Sequence, residues 1–241
     1  MLSEEKFFEK AESFVLYPSV DDTYYTYDEL FNKIKANQTD KDDKLVILYA
    51  SNKEEQHSYI ESAKAKGYEI LLLDSPIVPH LIQKLETTKE NISFVRVDSD
   101  HIDNLIKKDD TKISKLNDDE KKQLEETLKE VVPSEKFTVQ LETMDSDAAP
   151  FIITQPEFMR RMKEMQQTGG GGMFGMGNMP EMYNLVVNTN HELVNEILNT
   201  KTKKKQVRLI NQSLDLAQLS QGLLKGEALT NFIKRSYEMI K

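Results

Sequence analysis

Residues 169–177 read Gly-Gly-Gly-Gly-Met-Phe-Gly-Met-Gly and hold six of the chain's nine glycines. Within them Gly170-x-Gly172-x-x-Gly175 matches the dinucleotide fingerprint letter for letter. That fingerprint works only where a strand precedes it, a helix follows it and an acidic residue stands about 20 positions further on. Here an amphipathic helical pattern precedes it and Pro180 follows soon after, so the context fails. A flexible glycine-rich connection is the default reading of such a composition.

Methionine is the second unusual feature. Eight of the ten methionines lie between Met144 and Met182. Phe158, Met159, Met162 and Met165 fall at helical spacing just before the glycines, and Met173, Phe174, Met176, Met179 and Met182 lie within or just after them. Three readings are open: core packing, an adaptable apolar binding surface, and a segment that touches a membrane. Taken singly, Phe158 and Met162 read as core positions. A glycine-tethered loop cannot hold a rigid core, however, and flexible, polarizable Met surfaces suit partners of ill-defined shape. The binding surface is therefore the expectation.

Other catalytic chemistry is sparse. His57, His80, His101 and His191 are scattered, with no two at i, i+4, and neither His-Glu-x-x-His nor Gly-x-Ser-x-Gly occurs. There is no Gly-x-x-x-x-Gly-Lys, and residues 1–66 hold no glycine, so the first strand-to-helix turn cannot form a Gly-rich phosphate cradle. The expectation is no catalytic, cofactor-binding or metal-binding residues. One alternative stays open: an α/β enzyme domain with a small ligand at the strand ends near Ser51, Asp74 and Asp98. The basic run Lys203-Lys204-Lys205 reads as a solvated loop before a helix.

The elements that would position these residues follow from periodicity. Apolar runs at 45–49, 68–73 and 92–97 read as buried strands, separated by helices over 53–66 and 77–85, which suggests parallel pairing. Gly67 fits a helix C′ position with positive φ. Two helices precede this unit, one over 4–15 and one starting at the capping box Thr26-x-x-Glu29. Polar residues over 98–117 place a boundary in 107–116. Beyond it, Asn117-x-x-Glu120 caps a helix that stops at Pro133. Phe137, Val139 and Leu141 alternate as a strand, and Phe151 to Thr154 is expected to return as its hairpin partner through Asp145-Ser146-Asp147. Pro156 suits the first position of a helix running to about Gln167. A strand at 183–188 and a short helix at 192–198 follow.

The last 36 residues read as helical. Val207, Ile210, Leu214, Ala217, Gln221 and Leu224 form one seam, and Leu209, Leu216, Leu219 and Leu223 a second apolar flank that needs a further partner. Gly226 is expected to break this helix, and Leu229, Phe232, Ile233, Tyr237 and Ile240 line a final one. The fold class is thus α/β followed by α+β: a small parallel three-stranded α/β subdomain, then a mixed domain with a small sheet and a C-terminal helical bundle.

Composition narrows the function classes. The 241 residues include 32 Lys+Arg and 41 Asp+Glu, a formal net charge of −9, with no Cys and no Trp. Disulfide scaffolds and thiolate metal sites are excluded. The acidic balance argues against nucleic acid as a partner. The longest aliphatic run, 70–73, is too short to cross a bilayer, so stable membrane insertion is not expected. A reducing cytoplasm fits best.

Residues 153–165 (Ile-Thr-Gln-Pro-Glu-Phe-Met-Arg-Arg-Met-Lys-Glu-Met), the Gly/Met run and residues 183–191 (Tyr-Asn-Leu-Val-Val-Asn-Thr-Asn-His) resemble the C-terminal domain of the ninety-kilodalton heat-shock chaperones, in particular their bacterial branch. Residues 45–73, with His57-Ser-Tyr-Ile-Glu-Ser-Ala-Lys-Ala-Lys-Gly-Tyr-Glu-Ile-Leu-Leu-Leu73, resemble the last α/β part of that family's middle domain. The resemblance spans essentially the whole chain and implies two parts, 1–110 from the middle domain and 111–241 a dimerisation domain. It implies a C-terminal portion of an ATP-dependent chaperone, with ATP and magnesium bound by a domain that has no counterpart here. No cofactor is implied for this chain, and no catalysis. It further implies a homodimer through the last two helices, with Ile210, Leu214, Leu216, Ala217, Leu219, Leu223, Leu229, Phe232, Ile233, Tyr237 and Ile240 as interface candidates. Unfolded or partly folded client proteins would be met by Phe158, Met159, Met162, Met165, Met173, Phe174 and Met176.

Overall fold

The computed structural model describes residues 5–109, 112–168 and 182–240. In chain order its elements are α1 (Glu5–Glu12), β1 (Tyr17–Pro18), β2 (Tyr24–Tyr25), α2 (Tyr27–Ile34), β3 (Leu45–Ala50), α3 (His57–Ala65), β4 (Ile70–Leu72), α4 (Val78–Thr88), β5 (Ile92–Arg96), α5 (Ile102–Leu105), α6 (Asp118–Lys129), β6 (Phe137–Glu142), β7 (Phe151–Thr154), α7 (Glu157–Thr168), β8 (Tyr183–Asn188), α8 (Glu192–Asn199), α9 (Lys203–Ser220) and α10 (Gly226–Ile240). Contacts divide the chain into two units. The first comprises residues 1–109 and 155–179, the second residues 110–154 and 180–241. The expected mixture of a small parallel sheet and a small mixed sheet with helices is present.

In the first unit β3 is the central strand of the order β4-β3-β5, parallel to both neighbours. All six residues of β3 are buried. Side chains alternate across a strand, and both faces are covered. Leu45, Ile47 and Tyr49 join Leu30, Ile34, Ile82, Leu85 and Phe94 under α2 and α4. Val46, Leu48 and Ala50 join Ile60, Ala63, Val97 and Ile106 on the other face. The Thr26/Glu29 capping box starts α2 as expected. Gly67 has φ +73°, and the amides of Gly67 and Tyr68 donate to the carbonyls of Lys64 and Ala63, a Schellman end to α3. The short β1–β2 pair was not expected from sequence, since two-residue strands carry no periodicity.

The second unit corrects the expected hairpin. β6 and β7 are not paired. β8 lies between them, parallel to β6 and antiparallel to β7. Burial explains the order: β8 is apolar on both faces, with Leu185, Val186 and Val187 fully buried, whereas β6 is buried only at Phe137 and suits an edge. Asn188, fully buried at the end of β8, replaces a tight turn. Its Nδ2 donates to the carbonyls of Asp145 and Ala148, and its Oδ1 accepts from the amides of Met144 and Asn190. One core joins Leu124 and Leu128 of α6, the sheet residues Phe137, Phe151, Ile153, Leu185 and Val187, Val194 and Ile197 of α8, and Ile210, Leu214 and Ala217 of α9.

The break between the last two helices also differs from expectation. α9 ends at Ser220, with Gly222 at φ +62° as its C′ residue. The amides of Gly222 and Leu223 donate to the carbonyls of Leu219 and Gln218, which closes the end in a Schellman motif. Gly226, also at positive φ, opens α10 instead.

Candidate functional site

Helix α7 follows Pro156 directly, and the Arg160 amide donates to the Pro156 carbonyl at 3.2 Å. Glu157, Arg160 and Arg161 stand at i, i+3 and i+4 and so share one face. That face is turned inward. Arg160 is only 4% exposed, whereas Phe158 is 71% exposed. Phe158, which taken singly reads as a core position, stands outside, because the polar face of the helix takes the seat. Met159 and Met162 are half-buried. The side chain of Met165, and Met173, Phe174 and Met176 with the glycine run, lie outside the described residues.

The seat is built from the first unit's sheet. Glu157 Oε1 accepts from the Tyr49 hydroxyl at 3.1 Å, from Arg160, and from Arg161 Nε at 2.7 Å. Arg160 donates to Tyr49 Oη, and its guanidinium lies 5.6 Å from the centre of the Tyr49 ring. Arg161 forms a two-pronged pair with Glu86 of α4, at 2.8 and 3.3 Å, and donates to the Phe94 carbonyl of β5. Glu86 Oε1 accepts the Phe94 amide at 2.7 Å. Since β5 is an edge strand, Glu86 and Arg161 satisfy backbone groups that a neighbouring strand would otherwise take. The Gln155 amide donates to the Asp98 carbonyl at 3.2 Å, and the Asp98 carboxylate pairs with Arg96.

These charges set one another's protonation. Burial pushes the Glu157 carboxyl up, but the Arg160 and Arg161 guanidinium groups outweigh it and hold it below the usual carboxylate range. Burial alone pulls Arg161 down, and its bonds to Glu86 and Glu157 more than reverse that. The Tyr49 hydroxyl is pushed well up, by burial first and by the Glu157 charge second, and stays neutral. The arrangement binds and orients a helix; it presents no free nucleophile.

The strand ends near Ser51, Asp74 and Asp98 were the alternative ligand site. Tyr49 and Asp98, at the carboxyl ends of β3 and β5, are engaged by the start of α7. Ser51 is tied to Gln56 Oε1 through its amide and hydroxyl, and Asp74 is exposed. Among the described residues no three His, Asp or Glu side chains converge as metal ligands, and no helix is long and apolar enough to cross a membrane. His191 caps α8 by accepting the Leu193 amide at 3.0 Å. Lys203, Lys204 and Lys205 form the first turn of α9 rather than a loop, with Lys203 paired to Glu130 and Lys205 to Glu196.

In the second unit the predicted interface residues fall into two sets. Ile210, Leu214 and Ala217 are buried in the chain's own core, Leu223 packs against it, and Phe232 is 8% exposed. Leu229 is half-buried. Leu216, Leu219, Ile233, Tyr237 and Ile240 are exposed. On α10 the last three are spaced 4 and 3 apart, which makes one stripe. Polar contacts hold α10 on α9: Arg235 pairs with Asp215 and donates to Gln212 Oε1, and Gln212 Nε2 donates to the Ser236 hydroxyl at 3.0 Å. The apolar stripes are thus not consumed in joining the two helices.

Sequence reasoning did not assign roles to Tyr49, Glu86, Glu157, Arg160 or Arg161. The signal was the Glu-x-x-Arg-Arg spacing on an otherwise Met-rich helix; nothing local named its partners.

The family model for "Hsp90 protein" matches residues 5–241. The chaperone protein HtpG of Bacteroides fragilis (strain YCH46) is 37% identical over 307 aligned residues, covering 100% of this chain and 45% of that protein. HtpG of Bacteroides thetaiotaomicron is 36% identical and HtpG of Porphyromonas gingivalis (strain ATCC 33277) 34% identical, with the same coverage. The chain therefore spans a little under half the length of these curated relatives. With a family match running from residue 5 to the last residue, the chain belongs to the Hsp90 family of chaperones.

Proposed function

We propose that this chain forms the dimerisation and client-binding portion of an ATP-dependent chaperone. On this reading residues 1–110 correspond to the end of the middle domain and residues 111–241 to the dimerisation domain, although the contacts of α7 lie with the first unit. The observation that carries the reading is the exposed apolar set Leu216, Leu219, Ile233, Tyr237 and Ile240 on two helices whose other faces are already satisfied. Burying a large apolar side chain is worth about 1.5–3 kcal/mol, so a two-fold contact that covers this set twice is a strong driving force. Two such helix pairs would close into a four-helix bundle.

The second surface is α7, with Phe158 outward and Met159 and Met162 half-covered. Flexible apolar side chains of this kind suit unfolded or partly folded clients. ATP and magnesium would bind elsewhere in the whole chaperone, and this portion would transmit the resulting motion. The cytoplasm of a bacterium is the corresponding location. The enzyme alternative is not favoured: the relatives carry chaperone names, and Glu157 of α7 and the preceding Gln155 engage Tyr49 and Asp98 at the strand ends.

Molar mass by light scattering across a dilution series tests the dimer. A dimer holding into the low micromolar range is expected, and Leu216→Lys is expected to yield folded monomers whose melting temperature no longer depends on concentration. A parent chain that is monomeric throughout would end the proposal. Leu216 is the better probe than Phe232, whose burial within one chain makes Phe232→Glu a packing defect as well.

A further inference from the structure

We infer that Glu157, Arg160 and Arg161 form a releasable polar latch that holds α7 against the α/β sheet in one register, with its apolar edge outward. The inference deepens the client-binding reading and rests on it only where client binding is the readout.

The first support is the inverted polarity of the helix. A surface helix ordinarily buries its apolar stripe and exposes its charges. In α7 the fully buried side chain is Arg160, with Glu157 and Arg161 half-buried beside it, while Phe158 stands outside. A helix built only to complete the unit's core would have exchanged these faces.

The second support is the energetics of such a seat. Buried ion pairs roughly break even against their desolvation cost, yet removal of one partner leaves an uncompensated charge behind. A seat of this kind is strict in geometry and weak in net strength. An apolar seat would be the reverse: strong, and tolerant of sliding. Arg161 adds register, because its fork must meet Glu86 and the Phe94 carbonyl together. Three donors converge on the single oxygen Glu157 Oε1, so its loss weakens three contacts at once.

The third support is what the latch covers. With Glu86, Arg161 closes both outward backbone groups of Phe94 on the edge strand β5. Release of α7 therefore uncovers Met159, Met162 and the Phe94 carbonyl in a single event, while Glu86 of α4 keeps the Phe94 amide. Seated and released states differ in several exposed groups, which gives any partner preferring one state a means to shift the balance.

Hydrogen exchange on the full chain tests this directly, with Glu86→Ala and Arg161→Lys as variants. In Glu86→Ala the amides of α7 are expected to exchange at least tenfold faster, while those of β3 and β4 keep the parent rates. Arg161→Lys retains the charge but loses the fork, and is expected to fall between the two. Unchanged α7 exchange in Glu86→Ala would overturn the latch, as would a uniform acceleration across the whole unit. Suppression of aggregation of a heat-denatured test protein is measured on the same samples. Faster α7 exchange with unaltered suppression would leave the latch standing and count against the client reading alone.

Discussion

Helices α7 and α9 each mix apolar and charged side chains, and they have opposite attachments. α9 inserts Ile210, Leu214 and Ala217 into a continuous apolar core, and its register follows from shape. α7 meets its unit through a tyrosine, two arginines and two glutamates, and its register follows from hydrogen-bond geometry. Both leave apolar side chains outside: Leu216 and Leu219 on α9, Phe158 on α7. The difference teaches that exposed apolar groups can rest on a rigid base or on a releasable one. A rigid base suits a permanent self-association, where two surfaces must match at the level of single side chains. A releasable one suits partners whose shape is not fixed.

The largest effect should come from the rigid base. Ile210→Ala is expected to lower the stability of the second unit by roughly 2–5 kcal/mol, read by chemical denaturation, because the vacated space is lined by packed neighbours. The corresponding single change on α7, Glu157→Gln, should cost the global transition under about 1 kcal/mol, because the helix can leave its seat instead of unfolding the sheet. Replacing the charges together, Glu86→Gln and Glu157→Leu with Arg160→Met and Arg161→Leu, should restore slow exchange in α7 through an apolar seat. If the single change lowers global stability as much as Ile210→Ala does, the two helices are attached alike.

Acid separates the two attachments further. The Glu157 carboxyl is held below its unfolded value, so its contribution is fully present above about pH 4.5 and is lost as pH falls through the folded value. Tyr49 is raised, so the neutral phenol is kept through the alkaline range and its contribution fails only as pH rises beyond the usual phenol range. Exchange in α7 should therefore be flat from pH 5 to neutrality, after correction for intrinsic rates, and rise as pH falls below the usual carboxylate range while the α9 core persists. Gly222→Ala is expected to cost about 1 kcal/mol from the positive φ alone, since a Cβ there would meet nothing within 4 Å. A loss of dimerisation in that variant would indicate that the angle between α9 and α10 sets the association surface.

Local features were legible in the sequence and distant pairings were not. The capping boxes at Thr26 and Asn117, the C′ glycine Gly67 and the continuous run of β3 each follow from neighbours within a few residues. The place of β8 between β6 and β7 depends on which strand is apolar on both faces, and a hairpin spacing between β6 and β7 masked it. The latch was invisible for a similar reason. Arg160 meets a tyrosine 111 positions away, and no periodicity within residues 157–168 specifies that partner. The two glycines near residue 224 show a subtler limit: both take positive φ, and only the carbonyls available to accept decide which one closes α9.

The strand order of the second unit carries a consequence for how the chain is made. β6 and β7 leave the ribosome well before β8, which pairs with both, and residues 155–182 must be translated in between. At about 5–20 residues per second that interval is a few seconds, far longer than strand pairing itself requires. During it two nascent strands lack the neighbour they will finally share, and each can join the other in the hairpin their spacing invites. Correct assembly then requires that provisional hairpin to part and admit β8. The chain would thus pass through an unfinished stage with a timed vulnerability, which slower translation of residues 155–182 would lengthen.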